Sequence, residues 1–320
     1  MEEDVGMDVL SDVIGAMRAG RPYSSLTAAE AAWRMDFAAF GGARFHVVTA
    51  GRCRVTSAHA AAVTLGPGDA VLLPHGAEHV LENAGDGTTQ LVCGAYQLDQ
   101  ARPHPLIQDL PELVHLPARS DRHPRLRASI ALLRDELAEQ APGDDVVLPA
   151  LLDVVLVHLF RAWISERAER QDTGWCVALG DRAISRSLRA MHEHPAGRWT
   201  VESLGARAGL SRAAFARRFA SLVGLPPLTY LTWWRLTTAA RLLRTTDAPL
   251  SVIARRSGYG SPYAFANAFK REYGIPAGEY RRQRRTDHEH IAEWEPPPSG
   301  FPLTLVPEGR QPSTASSSQS

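Results

Sequence analysis

The stretch Gly258–Arg281, GYGSPYAFANAFKREYGIPAGEYR, decides how the chain is read. It opens on a glycine turn, runs into a short segment with aromatic residues on one face and basic residues on the other, and stops at Gly-Ile-Pro. Phe265, Phe269 and Tyr273 recur every four residues, the period of a helix, with Tyr259 just ahead of them. Pro262 suits a first helical turn, where its missing N–H costs nothing, and Ser261 stands where a side-chain oxygen caps free N–H groups. A helix that buries those aromatics presents Ala266, Asn267, Lys270 and Arg271 outward. That is the layout of the second helix of a helix-turn-helix.

The same arrangement occurs once more, upstream. WTVESLGARAGLSRAAFARRFASLVGLPP mirrors APLSVIARRSGYGSPYAFANAFKREYGIPA: a short helix (Val201 to Ala208; Leu250 to Ser257), a glycine turn, a capping serine, then a helix with two Phe four apart. Ser211 and Ser261, Phe215 and Phe265, Phe219 and Phe269, and the stop glycines Gly224 and Gly274 are each 50 residues apart. Glycine followed shortly by proline (Pro226, Pro276) ends both helices. Between the units, LTYLTWWRLTTAARLLRTT reads as one helix of roughly 18 residues, about 27 Å long. A rod of that length holds two helices about one DNA turn apart, near 34 Å.

The formal net charge of +0 hides a segregation. Residues 181–285 carry 19 Lys and Arg against 6 Asp and Glu, and the rest of the chain carries the matching acidic excess. A basic block joined to an acidic remainder implies a polyanion-binding module, with nucleic acid as its leading partner. The 320 residues suffice for two cores, and no apolar run is expected to be long enough to span a bilayer. With an acidic N-terminus unlike a signal peptide, this predicts a cytoplasmic protein with no membrane partner. Cys53, Cys93 and Cys176 are too few and scattered for a disulfide framework, which fits a reducing compartment.

Ahead of the basic block, residues 5–19 place Val9, Val13, Ile14 and Met17 on one face of a short helix. From about 33 to 100, short apolar or alternating runs broken by Gly, Pro and Asp predict a small antiparallel sandwich or barrel. Residues 102–118, punctuated by proline, read as extended. Two helices follow, over 125–140, with Leu126, Ile130, Leu133 and Leu137 in a stripe, and over 146–169. The second is apolar round most of its circumference and needs a partner on each side. Self-association into a homodimer is the economical explanation, burial within the monomer the other. Residues 171–180 read as a linker, Asp181 to His192 as a helix, and the Pro- and Ser-rich tail from 286 as disordered.

With both units in view, residues 181–285 resemble the AraC/XylS-type transcriptional regulators, most specifically in GYGSPYAFANAFKREYGIPAGEYR. The resemblance implies that bases are read from Ala213, Ala216 and Arg217 in the first unit and from Tyr263, Ala266 and Asn267 in the second. Arg217 has the fork to bond guanine O6 and N7, and Asn267 the amide to bond adenine N6 and N7. The family often has Arg at the place of Asn267. Arg212, Arg218, Lys270 and Arg271 are expected to meet phosphates, contributing affinity and salt dependence rather than specificity. Gly205 stands where the family commonly has Ala, a cost of about 1 kcal/mol inside a helix.

GDAVLLPHGAEHVLEN resembles the second cupin motif at Gly68, Pro74, Gly76, His79 and Asn83, implying a strand, a tight turn and a returning strand. The first cupin motif, which supplies two His and a Glu, is matched only by His46. If a divalent metal binds, His46, His79 and His75 are its candidate ligands. Two imidazoles without a carboxylate make a poor centre, so the expectation is a metal-free barrel with structural histidines. Cys53 and Cys93 match positions common in a subgroup with oxidant-sensing members, but buried inert thiols are the simpler reading.

These readings predict an α+β multidomain chain: a cupin-like effector domain over 1–118, a dimerising helical pair and linker over 119–180, an all-α double helix-turn-helix over 181–285 and a tail over 286–320. The expected function is binding of double-stranded DNA under the control of a small-molecule or oxidant effector, without catalysis. RNA polymerase would be a partner if the protein activates. The alternatives are a cupin metal enzyme with a DNA-binding appendage and a constitutive regulator whose barrel only dimerises.

Overall fold

The computed structural model describes residues 9–30, 32–98, 103–118, 122–168, 174–283 and 304–305. Helix α1 (Val9–Met17) buries Val9, Val13 and Met17 on the expected face. It leads into a strand that the sequence did not announce, β1 (Arg18–Ala29), whose RAGRPYSSLTAA has no apolar alternation. Pairing creates it: β1 runs antiparallel along β8 (Thr89–Leu98), from Arg18 opposite Leu98 to Ala29 opposite Thr89.

The remaining strands are β2 (Trp33–Phe37), β3 (Gly42–Ala50), β4 (Cys53–Ser57), β5 (Ala60–Leu65), β6 (Ala70–Leu73), β7 (His79–Asn83) and β9 (Val114–Leu116), with β10 (Thr304–Leu305) beside β2. They form two five-stranded sheets, ordered β1-β8-β3-β6-β9 and β10-β2-β7-β4-β5. This is an antiparallel sandwich rather than a closed barrel. Alternation is clean where one face looks inward, as in β2 and β4, where every second residue is buried. The segment GDAVLLPHGAEHVLEN departs from a simple hairpin, because β6 belongs to one sheet and β7 to the other. Its turn carries the chain across the sandwich.

Residues 102–118 are not wholly extended. His104 caps the short α2 (Pro105–Gln108), its Nδ1 accepting from the Leu106 N–H at 2.9 Å, and β9 follows. Helices α3 (Pro124–Glu139) and α4 (Asp144–Ala168) match the two expected. By length and composition alone α4 is long and apolar enough to cross a bilayer, with a mean hydropathy of 1.8 over its best window, which corrects the expectation that no run is. In the fold it packs on α3, β1 and β9 and buries Leu152, Val155, Leu156, Leu159 and Phe160, so much of its apolar circumference is consumed within the chain. Val146 and Val154 stay exposed at 75% and 43%.

The expected linker contains α5 (Trp175–Gly180). Six residues are too few for a helix stable by propensity. What holds this one is tertiary: Trp175 is buried and its indole N–H donates to the Val223 carbonyl at 3.1 Å. Then come α6 (Arg182–Glu193), α7 (Val201–Ala208), α8 (Arg212–Val223), α9 (Pro227–Thr245), α10 (Leu250–Arg256) and α11 (Pro262–Tyr273). The two expected units are α7–α8 and α10–α11, and α9 is the rod between them, 19 residues or about 28 Å long.

Three cores hold the described residues. One fills the interior of the sandwich. A second runs without a break from the outer face of the β1-β8-β3-β6-β9 sheet, through α1 and α3–α5, to α6, α7, α8 and the first half of α9. The third is confined to the end of α9, α10 and α11, around Phe265 and Phe269. The first helix-turn-helix therefore shares a core with the N-terminal part, whereas the second has its own. Apart from β10, the tail expected to be disordered lies outside the described residues.

Two glycines mark close approaches. A Cβ on Gly205 in α7 would sit 3.1 Å from the Leu210 carbonyl oxygen and 3.3 Å from Phe215 Cβ, so the absent side chain lets α7 and α8 meet. Gly258 has φ +78°, and a Cβ there would come within 2.9 Å of Ala196 Cα and the Pro195 carbonyl oxygen, seating the second unit's turn against the loop between α6 and α7.

Candidate nucleic-acid interface and its buried hydrogen-bond chains

Both second helices are built the same way. Ser211 accepts from the Ala214 N–H at 3.3 Å and Ser261 from the Ala264 N–H at 3.1 Å. Gly224 and Gly274 end the helices in the left-handed region, at φ 80° and 75°. Phe215, Phe219, Phe265 and Phe269 are fully buried, which fixes the rotation of each helix about its axis. That rotation leaves Arg212, Ala213 and Arg217 exposed on α8, and Tyr263, Asn267, Lys270 and Arg271 exposed on α11, with Ala216 and Ala266 half-buried. Tyr263 is 78% exposed, an extreme value for an aromatic ring.

Arg218 differs from its neighbours. Its Nε donates at 2.8 Å to Asp181, the N-cap of α6, and its Nη2 makes a second bond to the same carboxylate oxygen. Burial works against ionisation of Asp181. The Ile184 N–H, the Arg218 guanidinium and the Ala183 N–H outweigh it and hold the carboxyl below its usual range.

In the sandwich, His46, His79 and Cys93 form one directional chain. His79 Nδ1 lies 2.8 Å from the Ala77 carbonyl, so it carries the proton and donates, leaving a lone pair on Nε2. His46 Nε2, 2.8 Å away, must then donate to it. The free lone pair on His46 Nδ1 accepts the Cys93 S–H at 2.9 Å. Burial keeps all three neutral: it pushes His46 well below its ordinary pKa, His79 down to about 4 and the Cys93 thiol up to about 12. Cys53, also buried, is pushed up to about 12 by burial and then by Asp69.

The residues do not fit a metal centre. The two facing imidazole nitrogens are bonded to each other, and Cys93 lies on the opposite nitrogen of His46. His75 is turned away, bonded through Nε2 to the Leu110 carbonyl at 3.0 Å. Among the described residues no group of three His, Cys, Asp or Glu side chains converges. His75 is thus not brought to the pair that the sequence grouped it with.

A second chain links the N-terminal part to the first unit. His104 Nδ1 accepts from Leu106, so its Nε2–H points at the Tyr230 oxygen, 3.3 Å away. Tyr230 donates to His192 Nε2 at 2.7 Å, and His192 Nδ1–H donates to Asp12 at 3.1 Å. The chain runs from the segment after β8, through the rod and α6, to α1. Trp234 stacks on His192 with ring centroids 3.7 Å apart. At the other end of the rod, Arg244 donates to the Ala16 carbonyl of α1 and to the Tyr280 hydroxyl, both at 3.0 Å. A cavity of about 340 Å³ lies between α4–α5 and the end of α8, lined by Asp109, Trp163, Arg167, Trp175, Ser221 and Gly224.

A family described as Cupin matches residues 8–165, and one described as Helix-turn-helix domain matches 204–283. A putative AraC-like transcription regulator of Streptomyces antibioticus is 31% identical over 300 residues, which cover 86% of this chain and 99% of that one. The chain belongs to the AraC-like transcription regulators. Another AraC-like relative, the RCS-specific HTH-type transcriptional activator RclR of Escherichia coli K12, is 33% identical over 244 residues, 76% of this chain and 85% of its own. Among solved structures, the DNA-binding domain of AdpA in complex with a target DNA is 38% identical, covering 34% of this chain and 97% of that one, with a TM-score of 0.32.

The chain pairs a cupin-like domain with a DNA-binding helix-turn-helix domain. Sequence reasoning missed the chain through Asp12, His104, His192 and Tyr230, because its members lie far apart and none carries a motif. It also passed over Arg44, although the alternation Arg44, His46, Val48 in β3 puts an arginine on the inward face, a signal that was available.

Proposed function

We propose that this AraC-like regulator reads two successive major-groove sites with α8 and α11, and that a small molecule bound by the N-terminal domain biases the placement of the readers. The observation that carries the reading is the repeat: two identically capped helices with buried Phe pairs, exposing Arg217 and Asn267 at equivalent positions. Arg217, with Ala213 and Ala216, reads the first half-site, and Asn267, with Tyr263 and Ala266, the second. Arg212, Lys270 and Arg271 meet phosphates. Arg218, engaged by Asp181, holds α8 to α6 while its remaining donors face the backbone of the DNA.

The division of labour follows 1–118 as effector domain, 119–180 as dimerising pair and 181–285 as reader. The exposed Val146 and Val154 of α4 support homodimer formation. The protein acts in the cytoplasm, catalyses nothing, and contacts RNA polymerase where it activates. An uncharged small molecule or anion suits the sandwich better than a thiol oxidant, because Cys93 keeps its proton and shares it with His46.

The test is specificity. Arg217→Ala costs about 1–3 kcal/mol on the cognate site and relaxes discrimination there. Lys270→Ala weakens all sequences alike and lowers the salt slope. Equal loss on cognate and random DNA with Arg217→Ala would remove Arg217 as a base reader.

A further inference from the structure

One end of the sandwich carries a cation that no described residue balances. The inward-facing residues of the two sheets meet there in rows. Ser25, Cys93, His46 and Val71 lie in register across β1, β8, β3 and β6, and Tyr23, Ala95, Arg44 and Leu73 form the next row outward. Opposite them, Phe37, His79 and Ser57 align across β2, β7 and β4. Arg44 closes this end over the histidine chain.

The guanidinium of Arg44 is wedged between aromatic rings. Its Cζ lies 4.8 Å from the centroid of Phe37 and 4.5 Å from that of Phe40. Rings over a guanidinium satisfy the charge through the π face, but its N–H donors radiate in the plane and still need acceptors. Nη1 is buried and has no hydrogen-bond partner among the described residues, and the same holds for Ser57 Oγ. No ion pair to Arg44 occurs among the described residues, and burial alone drives its pKa down to about 10, against a small opposing effect of Cys93. A half-buried, unpaired guanidinium costs free energy in the free protein, unlike an arginine kept for stability.

We propose that the Arg44 end of the sandwich binds a small organic carboxylate, whose oxygens take the in-plane donors of Arg44 while its body lies against the half-buried Phe40. The site rests on the reading of the N-terminal domain as an effector domain and names the chemical class of that effector. A carboxylate fits because it is planar and accepts two parallel N–H bonds, the geometry the fork presents. Both neighbouring histidines are neutral, with their donors already used within the chain, so charge recognition falls to Arg44 alone.

The experiment uses the full chain. Formate, acetate and benzoate, each beside its neutral amide, are titrated while the thermal midpoint and binding heat are recorded. The carboxylates raise the midpoint and the amides do not. Loss of a charge-assisted pair in Arg44→Met weakens binding about ten- to a hundredfold, and Arg44→Lys, which keeps the charge but not the fork, falls between. Free of ligand, Arg44→Met is at least as stable as the parent; a clear loss of stability would assign Arg44 to packing against the two Phe rings and overturn the proposal. Identical behaviour of acids and amides, or of parent and Arg44→Met, would overturn it as well. A parallel titration follows affinity for a DNA fragment selected by the full chain. If benzoate binds through Arg44 without changing that affinity, the site stands and effector control falls. If a neutral compound changes it while no carboxylate binds, effector control stands and the carboxylate site falls.

Discussion

Replacing Tyr230 by Phe removes one oxygen atom from the chain that joins the N-terminal part to the first reader. The ring stays, so contacts with Trp175, Phe219 and Trp233 at centroid distances of 5.6, 5.9 and 5.9 Å persist and no cavity opens. What changes is hydrogen bonding. His104 Nε2–H loses its acceptor and His192 Nε2 its donor, in residues that are 0% and 4% exposed, where water cannot substitute. Each orphaned buried group costs about 1–3 kcal/mol. The 2.7 Å bond belongs in the upper half of that range and the 3.3 Å bond in the lower, so the sum is about 3–5 kcal/mol. Urea unfolding followed by tryptophan fluorescence reads it directly, because Trp175, Trp233 and Trp234 surround the site. Since the N-terminal part and first unit share one core, the loss appears in their common transition and not in that of the separate second-unit core. A double-mutant cycle with Asp12→Asn yields a coupling of about 0.5–3 kcal/mol. A loss below about 0.5 kcal/mol for Tyr230→Phe, set against that 1–3 per orphaned group, would refute the directional chain.

Acid should weaken the sandwich. His79 is held at about 4 in the fold against an ordinary 6.5, so the unfolded chain takes up its proton first. Stability is full above pH 6.5, and about 3 kcal/mol is lost as pH falls to 4, at 1.36 kcal/mol per unit; a flat urea midpoint across that window refutes the neutral chain. Gly205→Ala gains about 1 kcal/mol of helix propensity, yet its Cβ would press on the Leu210 carbonyl at 3.1 Å, a backbone atom that cannot rotate away. A lower thermal midpoint is expected, and a higher one would show that α7 and α8 have room to part. Val154→Asp on the exposed stripe of α4 should shift a sedimentation profile from dimer to monomer; an unchanged profile would place the dimer contact elsewhere.

Legibility in the sequence tracked the range of the forces. The caps at Ser211 and Ser261, the stops at Gly224 and Gly274 and the Phe pairs act within one or two helical turns, and all were read correctly. Strand β1 and helix α5 were not, since β1 exists because β8 pairs with it, and α5 because Trp175 finds Val223. The cupin-like motif located His79 and the turn, but whether the flanking strands pair or part depends on the other sheet.

By itself, then, the stretch Gly258–Arg281 determined the family, the fold class of the reader and which of its side chains face outward. A 3.6-residue period with fixed aromatic positions leaves one rotation of the helix open. Only the tertiary structure decided that the first helix-turn-helix shares the N-terminal core while the second has its own, that the histidines bond to each other, and that no described residue pairs with Arg44. Those facts depend on which distant surfaces meet, and burial and hydrogen bonding across such contacts leave no periodicity in the chain.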